Sequence, residues 1–398
     1  MEAHRLKITG DLNLIKKINT SIVLDVIVRQ YPISRARISE VTGLTKATVS
    51  SLVNDLIASH MVTESGMGES SGGRKPVMLL FNKCAGYAIG IDLDIHCIIG
   101  VLTDLEGNIV DEIRIDLKAL SVDAVVVDLK TCIRQLIEHS PKSPYGIIGI
   151  GIGVPGMVNE AGTIVFAPNL AWENVSIQAL IAEEFNIPVI IDNEANAGAV
   201  GEKQFGAGKS TSNMIYVSLG VGIGTGIIIK NELYRGFSGI SGEMGHVTIE
   251  AHGRKCSCGN IGCWELYASE NALLEKAKAL SFASANPPPS IQELIHLAET
   301  GNQEVIELLV QTGQYLGMGI INIMNTFNPE LIIIGSRLTA AEPWLLKPIQ
   351  QLIAERSFPY SRREMRIEFS SLGAKSTVLG AAFFAIAHFF ATTKISVE

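Results

Sequence analysis

Glu243-Met-Gly-His246 is followed, after nine residues, by Cys256-Ser-Cys258-Gly-Asn-Ile-Gly-Cys263-Trp-Glu265. One imidazole and three thiolates form the tetrahedral set of four ligands that zinc prefers. Because a complete shell leaves no open position for an activated water, such a site is structural. The spacing therefore predicts a structural zinc ion, Zn(2+), bound by His246, Cys256, Cys258 and Cys263.

Other interpretations of this cysteine cluster fit the residues less well. Three of the six cysteines lie within eight positions among Gly, Ser and Asn, whereas cysteines used as core hydrophobes have apolar neighbours. A disulfide needs an oxidising compartment, and an iron–sulfur cluster usually needs a fourth cysteine nearby. Glu243 and Glu265 flank the ligands, so the metal would hold both carboxylates beside His246 as a pre-formed binding site.

Composition and charge divide the chain into two unlike parts. Its 398 residues are 47% hydrophobic and 18% charged, an ordinary globular balance with enough core for two or three domains. The net charge is −8, yet residues 1–83 carry 11 Lys and Arg against 7 Asp and Glu, a balance of +4, which leaves −12 for the remainder. A basic head on an acidic body indicates that the head meets nucleic acid.

Two sequence features bear on the compartment. The first residues lack the basic-then-apolar pattern of a signal peptide. Apolar runs are cut by Gly and Pro, or stop short of the roughly 20 residues that a membrane span needs, as in residues 380–390. We expect a soluble, cytoplasmic protein without a membrane segment.

The basic head has the pattern of a helix-turn-helix. Apolar residues keep a helical stripe over residues 12–31; Ser34 then caps a short helix that ends near Gly43, and Thr45 caps a third helix over residues 46–60. The outward positions of the third helix are small, polar or basic, which suits a recognition helix in a DNA major groove. These positions are Lys46, Ala47, Thr48, Ser50 and Ser51.

A glycine-rich hairpin follows the third helix. Short strands are predicted at residues 61–63 and 77–81, and Gly66-Met-Gly-Glu-Ser-Ser-Gly-Gly73-Arg74-Lys75 lies between them. Arg74 and Lys75 would form the tip of a wing that contacts phosphates or a minor groove. The alternative is a helical protein-interaction domain with a flexible linker, and the basic tip argues against it.

From residue 87 the pattern changes to that of an α/β protein. Strands at residues 87–92, 96–102 and 109–113 are joined by tight turns, and the pattern recurs about 125 residues later around Gly220-Val-Gly-Ile-Gly224-Thr-Gly226, between strands at 214–219 and 227–229. The recurrence indicates a duplicated domain with a cleft between its halves. Helices at 123–139, 177–185 and 304–327 would cover the two sheets.

Together, the basic winged helix, the glycine turn, Glu243-Met-Gly-His246 and the cysteine motif resemble the ROK family of sugar kinases and repressors. The resemblance covers essentially the whole chain. It extends to the xylose-responsive repressors of that family in Ser70-Ser-Gly-Gly-Arg-Lys-Pro-Val-Met78 and Cys263-Trp-Glu-Leu-Tyr-Ala-Ser269. It implies an actin-like, two-lobed α/β fold with three parts: a winged helix-turn-helix (1–83), a small lobe (84–193, with a C-terminal helix over 377–392) and a large lobe carrying the zinc site (194–376).

The same resemblance implies a sugar-binding site in the cleft, with contacts from both lobes. The zinc-bound histidine would serve the metal with one ring nitrogen and the sugar with the other. By motif position, the sugar-binding residues are Gly156, Asn169, Asn193, Glu194, Glu243, His246 and Glu265.

The residues around the expected phosphate site argue against a kinase. Kinases of the family carry Asp-x-Gly-Gly-Thr where this chain has Asp92-Leu-Asp94-Ile-His96, so side chains and a negative charge stand where phosphates would approach. Glu194 replaces a catalytic Asp and is one methylene longer, and Ile334-Gly335-Ser336-Arg337 replaces a glycine pair. The surviving turn at residues 220–226 fits residual phosphate binding and tight strand packing equally well.

We therefore expect a transcriptional repressor and no enzyme activity. It would bind a palindromic operator as a homodimer, because two heads related by a two-fold axis read two half-sites at once. An aldose, xylose first, would release it. The alternatives are a repressor tuned to glucose or to an N-acetylated or phosphorylated sugar, then a functioning sugar kinase, and last a sugar receptor that does not bind DNA.

Overall fold

The protein is described here by a computed structural model over residues 12–67, 76–281, 289–335 and 337–392. Its N-terminal head contains three helices and a small antiparallel sheet with strand order β1-β3-β2. The elements are α1 (Leu12–Gln30), β1 (Ile33–Ser34), α2 (Arg35–Thr42), α3 (Lys46–Ala58), β2 (Val62–Met67) and β3 (Val77–Phe81).

In the head, the helices begin and end where their capping residues predict. The hydroxyl of Ser34 accepts a hydrogen bond from the Arg37 backbone N–H at 3.2 Å, and Thr45 accepts one from Thr48 N–H at the same distance. Gly43 closes α2 with a φ of +72°, in the left-handed region that glycine adopts without strain.

The apolar stripe of α1 is buried over only half of its length. Val23, Val26 and Ile27 lie in the core of the head, whereas an exposed row precedes them. The helix predicted over residues 12–31 is confirmed as α1, but the apolar residues of its first half are not buried. The exposed row consists of Leu14, Ile15, Ile18 and Ile22.

The first half of the body, which we call the small lobe, is built on a five-stranded sheet with strand order β11-β7-β4-β5-β6. Two helices pack on one face of it, and a three-stranded sheet lies at its edge. The elements are β4 (Tyr87–Leu93), β5 (Cys97–Asp104), β6 (Ile109–Asp116), α4 (Val122–Glu138), β7 (Ile147–Val154), β8 (Met157–Val158), β9 (Ile164–Ala167), β10 (Trp172–Val175), α5 (Ile177–Phe185) and β11 (Val189–Asn193).

The second half, which we call the large lobe, has its own five-stranded sheet with strand order β14-β13-β12-β15-β16. Five helices, α7 to α11, cover one face of this sheet in a continuous apolar core. The elements are α6 (Glu194–Gln204), β12 (Met214–Leu219), β13 (Ile223–Ile229), β14 (Glu232–Leu233), α7 (Glu265–Ala268), α8 (Glu270–Ala277), α9 (Ile291–Glu299), α10 (Gln303–Phe327), β15 (Leu331–Gly335), α11 (Glu342–Arg356) and β16 (Arg366–Phe369). The last helix, α12 (Lys375–Thr392), returns to the small lobe.

The two sheets share one topology. In each sheet, the first three strands form an antiparallel meander. A fourth strand then pairs in parallel with the first, and a fifth pairs in parallel with the fourth. The recurrence of strands and turns in the sequence is therefore a real structural repeat. The predicted glycine turn is shorter than expected, because β13 already begins at Ile223 and only Gly220-Val221-Gly222 turns.

Two helices, α6 and α12, cross between the sheets at very close range. A Cβ on Gly380 would lie 1.8 Å from the carbonyl oxygen of Ala197, and one on Gly201 would lie 2.0 Å from that of Ser376. Only glycine permits this approach. By length and composition α12 could span a membrane, but 56% of it is buried inside the protein, where it packs on the small-lobe sheet.

Candidate ligand cleft and metal centre

A cavity of about 260 Å³ lies between the two lobes. It is slightly smaller than the roughly 300–1,000 Å³ of pockets for drug-sized ligands, so it suits a small molecule. Residues from both lobes converge on it, and they include the complete set predicted from motif positions. Those residues are Gly156, Asn169, Asn193, Glu194, Glu243, His246 and Glu265.

On the small-lobe side, Asn193 organises the wall of the cavity. Its side-chain oxygen accepts hydrogen bonds from the Ala195 and Asn196 N–H groups, at 2.8 and 3.2 Å, and so caps α6. Its amide nitrogen donates to the Gly156 carbonyl at 2.8 Å, which leaves one N–H for a ligand. Gly156 has a φ of +96°, and a Cβ there would lie 2.4 Å from the Phe166 carbonyl oxygen. Asn169 is exposed in the turn after β9.

On the large-lobe side, the four predicted metal ligands come together. Their ligand atoms all lie within 4.8 Å of one another; Cys256 Sγ is 3.6 Å from His246 Nδ1, and Cys258 Sγ is 3.7 Å from Cys263 Sγ. Bond lengths of about 2.3 Å in a tetrahedral zinc–thiolate site separate the sulfur atoms by about 3.8 Å. The donor set and its spacing thus fit a tetrahedral metal ion.

Burial makes the thiols of the cluster harder to ionise. Burial, together with the neighbouring thiol of Cys258, raises the pKa of Cys263 to about 12, and burial raises the pKa of Cys256 as well. Thiolates are the metal-binding form of cysteine, so these two would ionise at neutral pH only beside a strong positive charge. A metal ion bound by the cluster would supply the positive charge that keeps its own thiolate ligands ionised.

His246 lies between the cysteine cluster and the cavity. Its Nδ1 faces Cys256, while Nε2 is 3.9 Å from Glu243 Oε2. Glu265 lies on the cluster side, with Oε1 at 3.2 Å from Cys256 Sγ and 3.4 Å from His246 Nδ1. Burial raises the pKa of Glu243, and His246 opposes this shift. A buried carboxylate with few donors gains most from the hydroxyls of an incoming ligand.

Further along the cleft, several carboxylates share one cation. Arg337 Nη2 donates to Asp94 Oδ2 at 2.7 Å, joining the two lobes. Burial and the charge of Glu194 raise the pKa of Asp92 well above its usual range. Burial and the charge of Asp94 raise the pKa of Glu194 to about 7. This end of the cleft is therefore poor in positive charge.

Sequence reasoning missed Glu270, whose carboxylate lies 3.5 Å from Arg337 Nε, and Thr377 of α12, which lines the cavity beside Glu194. No local motif marks either residue. Arg337 and Asp94 are 243 positions apart in the chain, and only the pairing of the two lobes brings them together.

The predicted DNA-contacting positions of α3 lie on its outer side. Lys46, Ala47 and Ser51 are exposed, and Thr48 and Ser50 are half-buried. Val49, Leu52, Val53 and Leu56 are buried on the opposite side, as predicted. Arg74 and Lys75 lie outside the described residues.

Comparison with known proteins places these features in a family. Residues 88–388 match the ROK family. The xylose repressor of Bacillus spizizenii is 47% identical over 390 residues, which cover 97% of this chain and 99% of that protein.

Two solved structures resemble the whole chain and its body, respectively. A ROK family transcriptional regulator, described as a homolog of the Escherichia coli MLC protein, matches with a TM-score of 0.81 and 29% identity over 94% of this chain and 97% of its own. A ROK family glucokinase from Streptomyces griseus, in complex with glucose and AMPPNP, matches with a TM-score of 0.69 and 27% identity over 75% of this chain and 99% of its own. From its sequence, its two actin-like lobes and its cleft, the chain belongs to the ROK family.

Proposed function

We propose that the protein is a cytoplasmic transcriptional repressor of a sugar-utilisation operon, released from its operator by an aldose, with xylose as the first candidate. One observation carries the proposal: a single chain combines a helix-turn-helix head with a cleft in which polar groups of two lobes converge. The 47% identity to a protein named xylose repressor, over nearly full length, supports the same function and effector.

The head supplies the DNA-binding surface. In this proposal α3 enters the major groove with Lys46, Ala47, Thr48, Ser50 and Ser51, and the basic side chains of Arg74 and Lys75 contact the phosphates or the minor groove. A single small head buries too little DNA surface for strong specificity, so the protein acts as a homodimer on a palindromic site.

Helix α12 provides a route from the cleft to the head. Thr377, near its start, lines the cavity, while Phe389 and Phe390 near its end pack on Tyr145 and on Phe81 of the head, with ring centroids 5.2 and 6.4 Å apart. Phe389 lies twelve positions after Thr377, a distance of about 18 Å along one helix. A movement of the lobes about the sugar would therefore reach the head through one packed element.

The metal in this proposal is a structural zinc held by His246, Cys256, Cys258 and Cys263. When bound, it supplies the charge that keeps the thiolates ionised and fixes the ring of His246. Held in this way, His246 Nε2 is free to bond a sugar hydroxyl beside Glu243, while Glu265 keeps Oε1 against the cluster and offers Oε2 to the sugar.

The glucokinase likeness and the pKa of Glu194 near 7 favour a sugar kinase as the second candidate. Against it, transfer of a phosphoryl group needs cations or backbone N–H groups around the phosphates. Asp92, Asp94 and Glu194 stand at that end of the cleft, and the nearby Arg337 is already paired with Asp94. We therefore propose that the cleft is catalytically inactive.

A binding experiment tests the repressor function. DNA duplexes selected from a random pool by the purified protein serve as the probe in fluorescence anisotropy, and D-xylose, D-glucose, L-arabinose, N-acetylglucosamine and glucose 6-phosphate are added in turn. We expect tight, salt-dependent binding that D-xylose reverses. Glu243→Ala should bind the same DNA, keep its metal and fail to respond to the sugar.

Other outcomes favour the alternatives. Release by a different sugar of the panel would identify that sugar as the effector in place of xylose. Failure to select any DNA would contradict the proposed repressor function. With Mg-ATP and D-xylose or D-glucose, turnover near the usual kinase range of about 1–100 per second would establish the kinase instead.

A further inference from the structure

Arg337 lies between two carboxylates that belong to different lobes. Its Nη2 donates to Oδ2 of Asp94, which directly follows β4 of the small lobe, at 2.7 Å. Its Nε lies 3.5 Å from Oε2 of Glu270, the first residue of α8 in the large lobe. One guanidinium thus has an acceptor on its own lobe and another across the cleft.

The two carboxylates are satisfied to different degrees. Asp94 is held in place, because its Oδ1 accepts a hydrogen bond from the His96 N–H at 2.9 Å. Glu270 is only 6% exposed, and among the described residues its Oε2 has no hydrogen-bond partner. A buried acceptor left without a donor is costly, so Glu270 would accept a bond from Arg337 if the guanidinium were released by Asp94.

We propose that Arg337 is an exchangeable latch between the lobes: it bonds Asp94 when the lobes are together and transfers to Glu270 when the cleft opens. The exchange keeps the cost of opening small, because the cation does not lose its partner. The relative strength of the two bonds then sets how often the lobes are together, and with it the affinity for the sugar. This inference rests on the proposed sugar response.

The surroundings of Glu270 connect the latch to the ligand site. The Glu270 N–H donates to the Gly220 carbonyl of the cleft turn at 2.9 Å, and the short helix α7 joins Glu270 to Glu265. A ligand that contacts groups from both lobes binds only when they are together, so anything that favours the joined state raises its affinity. Arg337 acts through this equilibrium and is a positioning residue.

The latch predicts that two isosteric variants change the affinity for D-xylose in opposite directions. Asp94→Asn weakens the bond across the cleft and should lower D-xylose affinity by roughly fivefold or more, as measured by calorimetry on the full chain. Glu270→Gln removes the competing negative charge and should raise the affinity. In an Arg337→Met background, neither change should have any further effect.

The control is Glu368→Gln, which disrupts an Arg366–Glu368 ion pair of the same 2.7 Å length within β16 and should leave the affinity unchanged. If the two carboxylates had a purely structural role, Asp94→Asn and Glu270→Gln would change the affinity for D-xylose in the same direction. That result overturns the latch, and so does an effect of either variant that persists in the Arg337→Met background.

A second measurement works without any sugar. In hydrogen exchange of the free protein, Asp94→Asn should speed exchange at the turns of residues 94–96 and 220–222, and Glu270→Gln should slow it. If no sugar of the panel binds the parent protein, the proposed effector fails, while opposite exchange shifts still support the latch. Equal or parallel shifts overturn it whatever the ligand.

Discussion

The two hairpin turns that face the cleft are equivalent in topology and opposite in chemistry. The turn between β4 and β5 is Asp94-Ile95-His96, and its charged side chain reaches Arg337 of the other lobe. The turn between β12 and β13 is Gly220-Val221-Gly222, and a Cβ on Gly222 would lie 2.8 Å from Glu265 Oε2. The Asp94 turn joins the lobes through a side chain. In the glycine turn, Gly222 has no side chain, which leaves room for the carboxylate of Glu265.

The elements behind the two turns differ in the same way. Behind the glycine turn lie the metal cluster and Trp264, which is 1% exposed and packs so closely on Gly319 that a Cβ there would be 2.0 Å from its ring. The Asp94 turn depends instead on a partly exposed ion pair. On the proposals made above, the repeat gives the large lobe a rigid binding wall and the small lobe a contact that can break.

The largest expected effect comes from breaking the rigid wall. Cys263→Ser removes one of four metal ligands beside Trp264, so we expect bound zinc to fall from about one per chain to near zero. The melting temperature should fall by roughly 5 °C or more, the shift expected for about 2 kcal/mol in a domain of this size. Elemental analysis and calorimetry measure both.

Cys84→Ser is the matched control, because Cys84 is an exposed cysteine outside the cluster. It should leave both the metal content and the melting temperature unchanged. Full zinc occupancy in Cys263→Ser would contradict the assigned ligand set.

The next effect compares the two turns directly. In Gly222→Ala the new methyl group would meet the flexible end of Glu265, so the fold should survive while the carboxylate is displaced. We expect the affinity for D-xylose to fall about tenfold, the loss of roughly one charge-assisted hydrogen bond. His96→Ala, at an exposed position of the equivalent turn, should leave the affinity unchanged. Equal effects of the two variants would remove the distinction between the turns.

A smaller effect concerns how the stability of the protein depends on pH. It tests the negative charge that the Asp94 turn brings into the cleft. Because the folded pKa of Glu194 is raised from 4.5 to about 7, the folded state binds more protons than the unfolded state between these values. The parent should therefore lose stability as the pH rises from about 4.5 to about 7, by roughly 2 kcal/mol for a half-buried carboxyl. Glu194→Gln should lack this loss.

Denaturant titrations of the two proteins at pH 5 and pH 8 measure the difference. Glu194→Gln should be the more stable protein at pH 8 and have little advantage at pH 5. The same pH dependence in both proteins would show that Glu194 is ionised with an ordinary pKa.

Features that depend on neighbours in sequence could be predicted residue by residue. The caps at Ser34 and Thr45, the bounds of α2 and α5, and strands β3 and β12 follow from local hydrogen bonding and apolar period, which a short segment carries with it. The start of β13 could not be predicted in this way. Gly226 looks like part of a turn, yet it pairs with Tyr216 as a strand residue. It is a glycine because a Cβ there would lie 2.2 Å from the Ala195 carbonyl oxygen of α6.

The sequence by itself determined the candidate metal-ligand set, since His246 and three cysteines lie within 18 positions and the structure brings their ligand atoms together. It also determined which residues line the cleft, through motifs whose positions the two-lobed fold preserves. Only the tertiary structure decided that Arg337 is shared between Asp94 and Glu270, and that Glu194 has a pKa near 7. Burial and electrostatic interaction are sums over all neighbours in space, and these neighbours come from segments that the chain brings together only when both lobes have folded.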